Sequence, residues 1–207
     1  MNCRRDTFLL MLINSIAENK WAVNDNFFPE ELCDAILHSA IHKKISGQLQ
    51  PALIGKDQNR QIRSDIRGDL TYWLGENEVD MNLQSAWKFL EQVRMTINQE
   101  LYLGLKRFES HLAIYPPGKG YHKHFDQAPG STARQLTFIL YLNKNWQQGD
   151  GGELVIYDEH NNDQQIAKIE PLFGRSVFFL TEFFPHEVLP CKKERISLTG
   201  WFRNDPA

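Results

Sequence analysis

The chain has 207 residues, 42% of them apolar, with 23 basic and 26 acidic side chains and a formal net charge of -3. That is enough apolar material for one domain, residues 1–207, with a sizeable core. The interspersed charges exclude a broad electropositive face for nucleic acid phosphates. Cys3, Cys33 and Cys191 are too widely spaced for a disulfide framework or a paired zinc motif, so a reducing, cytoplasmic compartment is expected. No apolar run approaches the ~20 residues needed to cross a bilayer, so no membrane partner is expected.

Apolar residues Phe8, Leu9, Leu12, Ile13 and Ile16 recur at helical spacing and predict a first helix over Thr7 to Asn19, with Thr7 as its N-cap. The short apolar run behind Asp6 favours this helix over a secretory signal. The segment WAVNDNFF reads as a short strand. Pro29 then opens a second helix running to Lys44, at the position where its missing N–H costs least, and Leu32, Ala35, Ile36, Ser39 and Ala40 are its expected buried face. A polar segment, Gly55 to Gly68, reads as a long finger within a hairpin, and such loops often carry function. Leu83, Ala86, Trp87, Leu90, Val93, Ile97 and Leu101 predict a third helix over Asn82 to Leu103.

Beyond Lys106 the period falls to two. Eight short strands follow: FESHLAIY, YHKHFD, RQLTFILYL, GELVIY, QQIAKI, RSVFFL, HEVL and RISLTGWF, punctuated by glycine and proline clusters. This predicts a mainly β fold, a jelly roll over 106–203, with helices from residues 1–105 packed on one outer face. Phe178, Phe179, Phe183 and Phe184 are expected in its core.

Within GYHKHFDQAPG, His122, His124 and Asp126 alternate, and they share a face if the strand runs through all three. His186 opens a later strand. Two histidines and a carboxylate on short strands are the pattern of a facial triad that holds Fe(II) and leaves coordination positions open. Arg195, Ser197, Thr199 and Trp201 alternate onto one face of RISLTGWF, where an arginine can hold a carboxylate by paired hydrogen bonds. Thr137, Ile139 and Tyr141 form the matching face of RQLTFILYL, and Tyr141 can donate to the same carboxylate.

The motifs IRGDLTYWL, AIYPPGKGYHKHFD, LYLNKNW, GGELVIY, IEPLFGRSVFF, PHEVLP and RISLTGWF together make the stretch from Gln61 to Phe202 distinctive. It resembles the 2-oxoglutarate and Fe(II)-dependent oxygenases, specifically prolyl hydroxylases like those acting on hypoxia-inducible factor, in a bacterial form. The resemblance implies a double-stranded β-helix in which His124, Asp126 and His186 bind Fe(II). It further implies that Arg195 anchors 2-oxoglutarate with Tyr141, and that Tyr115, Thr199 and Trp201 line that pocket.

On the same resemblance, Arg134, Asp69, Arg67 and Tyr121 face the substrate, with Asp69 pairing with Arg134 to order the finger over bound peptide. His122 becomes a wall residue. The implied reaction hydroxylates a prolyl residue in a protein or peptide, such as a translation factor, consuming O2 and 2-oxoglutarate and releasing succinate and CO2, with ascorbate as reductant. Two other classes fit the bare residues. One is a cupin-like site built on His122, His124 and His186 without keto-acid turnover; the other is a non-catalytic binding module. His38 and His42, four apart on a helix but without a third ligand, are expected to be solvated or capping residues, His111 and His160 are expected to be structural, RGD lacks the extracellular setting of an adhesion motif, and GDGGELVIY is not a dinucleotide fingerprint.

Overall fold

A computed structural model describes residues 2–55, 61–127 and 130–206. The elements run α1 (Asn2–Asn19), β1 (Trp21–Asn24), α2 (Glu30–Ile45), β2 (Gln50–Pro51), β3 (Leu70–Trp73) and α3 (Met81–Leu101). The strands β4 (Arg107–Tyr115), β5 (Tyr121–His124), β6 (Arg134–Tyr141) and β7 (Leu154–Tyr157) follow, and then β8 (Gln165–Ile169), β9 (Ser176–Leu180), β10 (His186–Val188) and β11 (Arg195–Arg203). All eight strands expected beyond Lys106 are present.

The helices differ from expectation at their ends. The first begins at Asn2, so Thr7 lies inside it rather than capping it. Its polar first turn carries no apolar period to mark it. Pro29 is the N-cap of α2, with φ -56° and ψ 138°, rather than its first helical residue. The buried face of α2 is Cys33, Ile36, Ser39, Ala40 and Lys43, with Leu32 and Ala35 half-buried on its flank. Lys43 is tolerated inside because its Nζ donates to Tyr72 Oη at 3.0 Å and Gln48 Oε1 at 3.1 Å, with Glu78 at 3.7 Å. Asp80 starts α3 by accepting the N–H groups of Asn82 and Leu83.

The strands form a seven-stranded sheet, in the order β1-β9-β6-β11-β4-β3-β2, and a four-stranded sheet, in the order β5-β10-β7-β8, with antiparallel pairing throughout. The large sheet is covered on both faces, which is why its central strands are buried almost along their length. Alternation sorts its side chains. Leu112, Ile114, Leu136, Phe138, Leu140, Leu198 and Phe202 pack with α1, α2 and α3. Ala113, Tyr115, Ile139 and Tyr141 turn inward with Val177, Phe179, Ile156 and Val188 to fill the space between the sheets. Phe178 joins the helix-side core, Phe179 and Phe184 the inter-sheet one, and Phe183 packs half-buried against the latter.

The inward face of the large sheet becomes polar toward one end. Register places Arg195 beside Tyr115, Ser197 between Ala113 and Tyr141, Thr199 between His111 and Ile139, and Trp201 between Glu109 and Thr137. These rows carry the site. Among the described residues no helix is long and apolar enough to cross a membrane. Cys33 and Cys191 are buried free thiols.

Candidate metal centre

β5 ends at His124, and Asp126 lies in the bend beyond it. The strand therefore does not run through all three residues of the motif. His122 is exposed and contributes its backbone instead: its carbonyl lies 2.7 Å from His124 Nδ1. His186, the first residue of β10, sits directly across the antiparallel pair from His124.

These placements bring His124, Asp126 and His186 together, with one ligand atom from each all within 4.8 Å of one another. Nε2 of His124 is 3.5 Å from one oxygen of Asp126, and Nε2 of His186 is 3.5 Å from the other. His186 Nδ1 donates to Phe184 O at 3.0 Å, as His124 Nδ1 does to His122 O. A proton held at each Nδ1 leaves each Nε2 lone pair aimed at the shared centre, the tautomer a metal requires. Burial opposes ionisation of Asp126, yet the His186 and His124 rings hold its carboxyl well below the usual range. Burial also lowers His186 to about 4, keeping it neutral and able to ligate. Two imidazoles and one carboxylate suit a divalent ion such as Fe(II) with further positions open.

Thr137 completes this cluster. Its Oγ1 donates to Asp126 Oδ2 at 2.9 Å and lies 3.1 Å from Thr181 Oγ1, which fixes the carboxylate's orientation. The sequence placed Thr137 on the right face but gave no sign of this bond.

Beside the cluster, Arg195 is 3% exposed. Its Nε donates to Gly152 O at 2.8 Å and its Nη1 to Ser197 Oγ at 3.4 Å, while its guanidinium lies over the Tyr115 and Tyr141 rings at 5.1 and 4.9 Å. Gly152 has φ +76°, and a Cβ there would sit 3.0 Å from Arg195 Cδ, so glycine is what lets the arginine lie against this loop. Among the described residues, Tyr141 Oη and Trp201 Nε1 are buried without a hydrogen-bond partner. Burial raises Tyr141 and Tyr115 above the usual phenol range, so both remain protonated donors. A buried orphan donor costs about 1–3 kcal/mol. Arg195, Tyr115 and Thr199 line a small chamber next to His124, Asp126 and His186, with Tyr141 packed behind Arg195 and Ser197 Oγ 3.2 Å from Thr199 Oγ1, an arrangement that fits an acidic ligand next to a metal.

Of the residues expected to face substrate, Arg67, Tyr121 and Arg134 line an open groove of about 1040 Å³ that reaches His124 and Asp126, as does Trp201, expected at the 2-oxoglutarate pocket, whereas Asp69 is buried and does not line it. The Asp69–Arg134 pair expected over bound peptide is not formed in the free protein. Asp69 instead accepts two N–H bonds from Arg67, at 2.7 and 2.9 Å. Arg134 donates to Glu109 at 2.8 Å and to Asp126 O at 3.1 Å, and stacks on Trp201 at 3.6 Å. Glu109 stands in the neighbouring row of the large sheet, whereas Asp69 is fully occupied by the arginine two residues before it. His111 is structural as expected, but its place is specific: it is buried between Trp73 and Trp201, with ring centroids 4.6 and 5.5 Å away, and burial lowers it to about 3.

A family model described as the 2OG-Fe(II) oxygenase superfamily matches residues 110–203. The chain is 32% identical over 184 residues to prolyl hydroxylase EGLN3 from Homo sapiens, covering 86% of this chain and 76% of that protein. This chain belongs to the 2-oxoglutarate and Fe(II)-dependent oxygenases. Among solved structures, a Pseudomonas putida prolyl-4-hydroxylase is 37% identical with a TM-score of 0.84, covering 95% of this chain and 99% of that one. A prolyl hydroxylase in complex with a hypoxia-inducible factor peptide fragment, from Trichoplax adhaerens, is 27% identical with a TM-score of 0.82, covering 97% and 91%. Oxygenases of this superfamily use Fe(II), 2-oxoglutarate and O2, and the donor set and acid-binding chamber described above fit those groups. The three-histidine cupin reading lacks its third ligand, because His122 is exposed and outside the cluster.

Proposed function

We propose that this oxygenase hydroxylates a prolyl residue in a protein substrate, with His124, Asp126 and His186 holding Fe(II) and Arg195 and Tyr141 holding the distal carboxylate of 2-oxoglutarate. The observation that carries the reading is the orphaned Tyr141 hydroxyl beside the buried Arg195, one layer from the His–Asp–His cluster. A chamber with an unpaired donor and a cation is incomplete without an acid. Tyr115, Thr199 and Trp201 wall it. The relatives' own activity, named as prolyl hydroxylation, supplies the target residue.

When bound, Fe(II), 2-oxoglutarate and O2 would supply the oxidative chemistry: one oxygen atom of O2 would enter the succinate formed as the keto acid loses CO2, and the other would convert a substrate C–H to C–OH. The protein's part is binding and orientation. Thr137 and the two backbone carbonyls at His122 and Phe184 fix the ligand geometry. Arg195, itself fixed by Gly152 and Ser197, sets the depth and direction of the acid. Peptide lies in the open groove, whose exposed Leu53, Trp73 and Phe125 offer apolar surface at 47%, 50% and 42% exposure, beside Arg134 and Tyr121. Bound peptide over this groove excludes water from the centre.

A cellular protein such as a translation factor is the expected substrate, in the cytoplasm, with ascorbate keeping the iron reduced. The buried free thiols of Cys33 and Cys191 suit that compartment. Incubation with Fe(II), 2-oxoglutarate, ascorbate and host lysate, followed by mass spectrometry, should reveal peptides that gain one oxygen on proline. Oxygen gained only on other residues would overturn the prolyl assignment and leave the oxygenase intact.

A further inference from the structure

We propose that Arg67 is a positioning residue for His124, acting through the ring of Tyr121, and that it thereby ties the base of the finger to the metal centre. The inference rests on the reading of His124 as a metal ligand. The His124 imidazole is held by one hydrogen bond, Nδ1 to His122 O, and is the more exposed of the two histidine ligands. Two rings pack against it: that of His186, tilted at 56° with centroids 4.4 Å apart, and that of Tyr121, which stacks face to face at 3.5 Å between centroids and 17° between planes and so fixes its plane. Tyr121 in turn lies under the Arg67 guanidinium, 4.9 Å from the ring centroid.

Arg67 is itself rigidly placed. It makes a paired salt bridge with Asp69, whose side chain is fully buried, and its Nη2 is 3.5 Å from His111 Nε2. The backbone repeats the connection. Ile66 O accepts from His122 N at 2.9 Å, Gly68 N donates to Gly120 O at 3.0 Å, and Arg67 and Tyr121 form an antiparallel bridge. A Cβ on Gly68 would lie 2.7 Å from Lys119 Cβ, so the two segments touch. Residues 66–68 thus form a further short rung on the outer edge of β5, the strand that carries His124. A change in the finger's base reaches the ligand through both backbone and stacked rings.

The sign of the effect separates positioning from charge. Removing the Arg67 cation and leaving Asp69 makes the surroundings more negative, which by Coulomb's law alone tightens binding of a divalent cation. Loss of ring support weakens it, and removal of such outer partners typically costs roughly 10- to 100-fold in metal affinity. A side chain that contacts only the peptide would change neither.

The test is titration of Co(II), followed by its ligand-field absorption, into wild-type protein, Arg67→Ala, Tyr121→Ala, Tyr121→Phe and the double alanine variant. Thermal melts of the metal-free proteins serve as a check of folding. About tenfold weaker binding is expected for Arg67→Ala and Tyr121→Ala, with Tyr121→Phe close to wild type and the double variant no weaker than Tyr121→Ala alone. Should Arg67→Ala unfold on exposing the Asp69 charge, Arg67→Gln combined with Asp69→Asn keeps a neutral hydrogen-bonded pair without the guanidinium and should show the same weakening. Unchanged or tighter Co(II) binding, or losses that multiply in the double variant, would overturn the proposal. His124→Ala is run alongside: if it binds Co(II) as wild type does, the ligand assignment itself has failed, and the two failures are told apart.

Discussion

Replacing Arg195 should separate binding of the acid from binding of the metal. The guanidinium is buried, fixed by Gly152 O and Ser197 Oγ, and faced by the orphaned Tyr141 hydroxyl, so its remaining N–H groups are aimed before any acid arrives. Truncating one side of a buried, hydrogen-bonded charge pair costs about 2–5 kcal/mol. At about 1.4 kcal/mol per tenfold, Arg195→Ala should weaken 2-oxoglutarate by roughly 30-fold to a few thousand-fold. Arg195→Lys keeps the charge but loses the fork, which amounts to about one charge-assisted hydrogen bond, 1.5–3 kcal/mol, or roughly 10- to 150-fold. Arg195 touches none of the three metal-binding side chains, so Mn(II) affinity should stay within about twofold, the scatter expected of an uncoupled site. Calorimetric titration of 2-oxoglutarate into the anaerobic Mn(II)-loaded protein, with Mn(II) titrated separately, measures both quantities. Equal losses in the two would mean that Arg195 supports the fold rather than the acid, and would refute the assignment.

Tyr141→Phe should weaken 2-oxoglutarate by about 0.5–1.5 kcal/mol, roughly 2- to 13-fold, while leaving the metal-free protein at least as stable, because the deleted hydroxyl has no partner there. Loss of stability without loss of affinity, read by urea denaturation and calorimetry, would contradict this. Thr137→Val removes the bond to Asp126 and should weaken metal binding by roughly tenfold; an unchanged Mn(II) titration would show that the carboxylate is fixed by other means. The metal-free protein should also lose stability in acid. Burial lowers His186 to about 4 and His111 to about 3, so the unfolded chain takes up protons from about pH 6.5 downward that the folded one refuses, and stability falls with pH over that window at up to about 1.4 kcal/mol per pH unit for each histidine. His111→Phe should flatten the slope measured by urea denaturation between pH 7 and 5, and an unchanged slope would remove His111 from the account.

Legibility in the sequence followed period. Arg195, Ser197, Thr199 and Trp201 are readable as one face because β11 is regular through Phe202, and the same holds for Thr137, Ile139 and Tyr141 on β6 beyond the bulge at Gln135. His186 is readable because it opens a strand. Asp126 has no such warrant, since β5 stops at His124 and a bend brings the carboxylate inward; the residue was found through its motif, not its geometry. What stayed hidden is whatever depends on which rows lie side by side across strands. Arg134 reaches Glu109 rather than Asp69, and Asp126 receives the Thr137 hydroxyl, through a register that alternation cannot supply. The first turn of α1 was hidden for a different reason: polar residues carry no helical period.

The division of the large sheet into two faces explains how so polar an interior is tolerated. Its helix side is apolar from Leu112 and Leu198 to Phe138 and Phe202, apart from the buried hydroxyls of Ser110 and Ser176, which donate to Thr199 O at 3.1 Å and Asn24 O at 3.0 Å, and it is buried under three helices. Its inner side holds Arg195, Ser197, Thr137 and His111 at almost no exposure, with three polar atoms that have no partner among the described residues, Tyr141 Oη, Trp201 Nε1 and His111 Nδ1. Each orphan destabilises by about 1–3 kcal/mol, comparable with the gain from fully burying one or two aliphatic side chains. The helix side therefore serves stability alone, while the inner side combines an apolar core around Ile139, Val177 and Phe179 with the chemical groups, in residues that alternate along the same strands. A truncation such as Leu198→Ala should cost about 2–5 kcal/mol of folding energy through the cavity it leaves, yet it would reach the site only if the strand itself shifted. Changes that delete an unpartnered hydroxyl of the inner face, such as Tyr141→Phe, act on ligand binding at little cost to the fold.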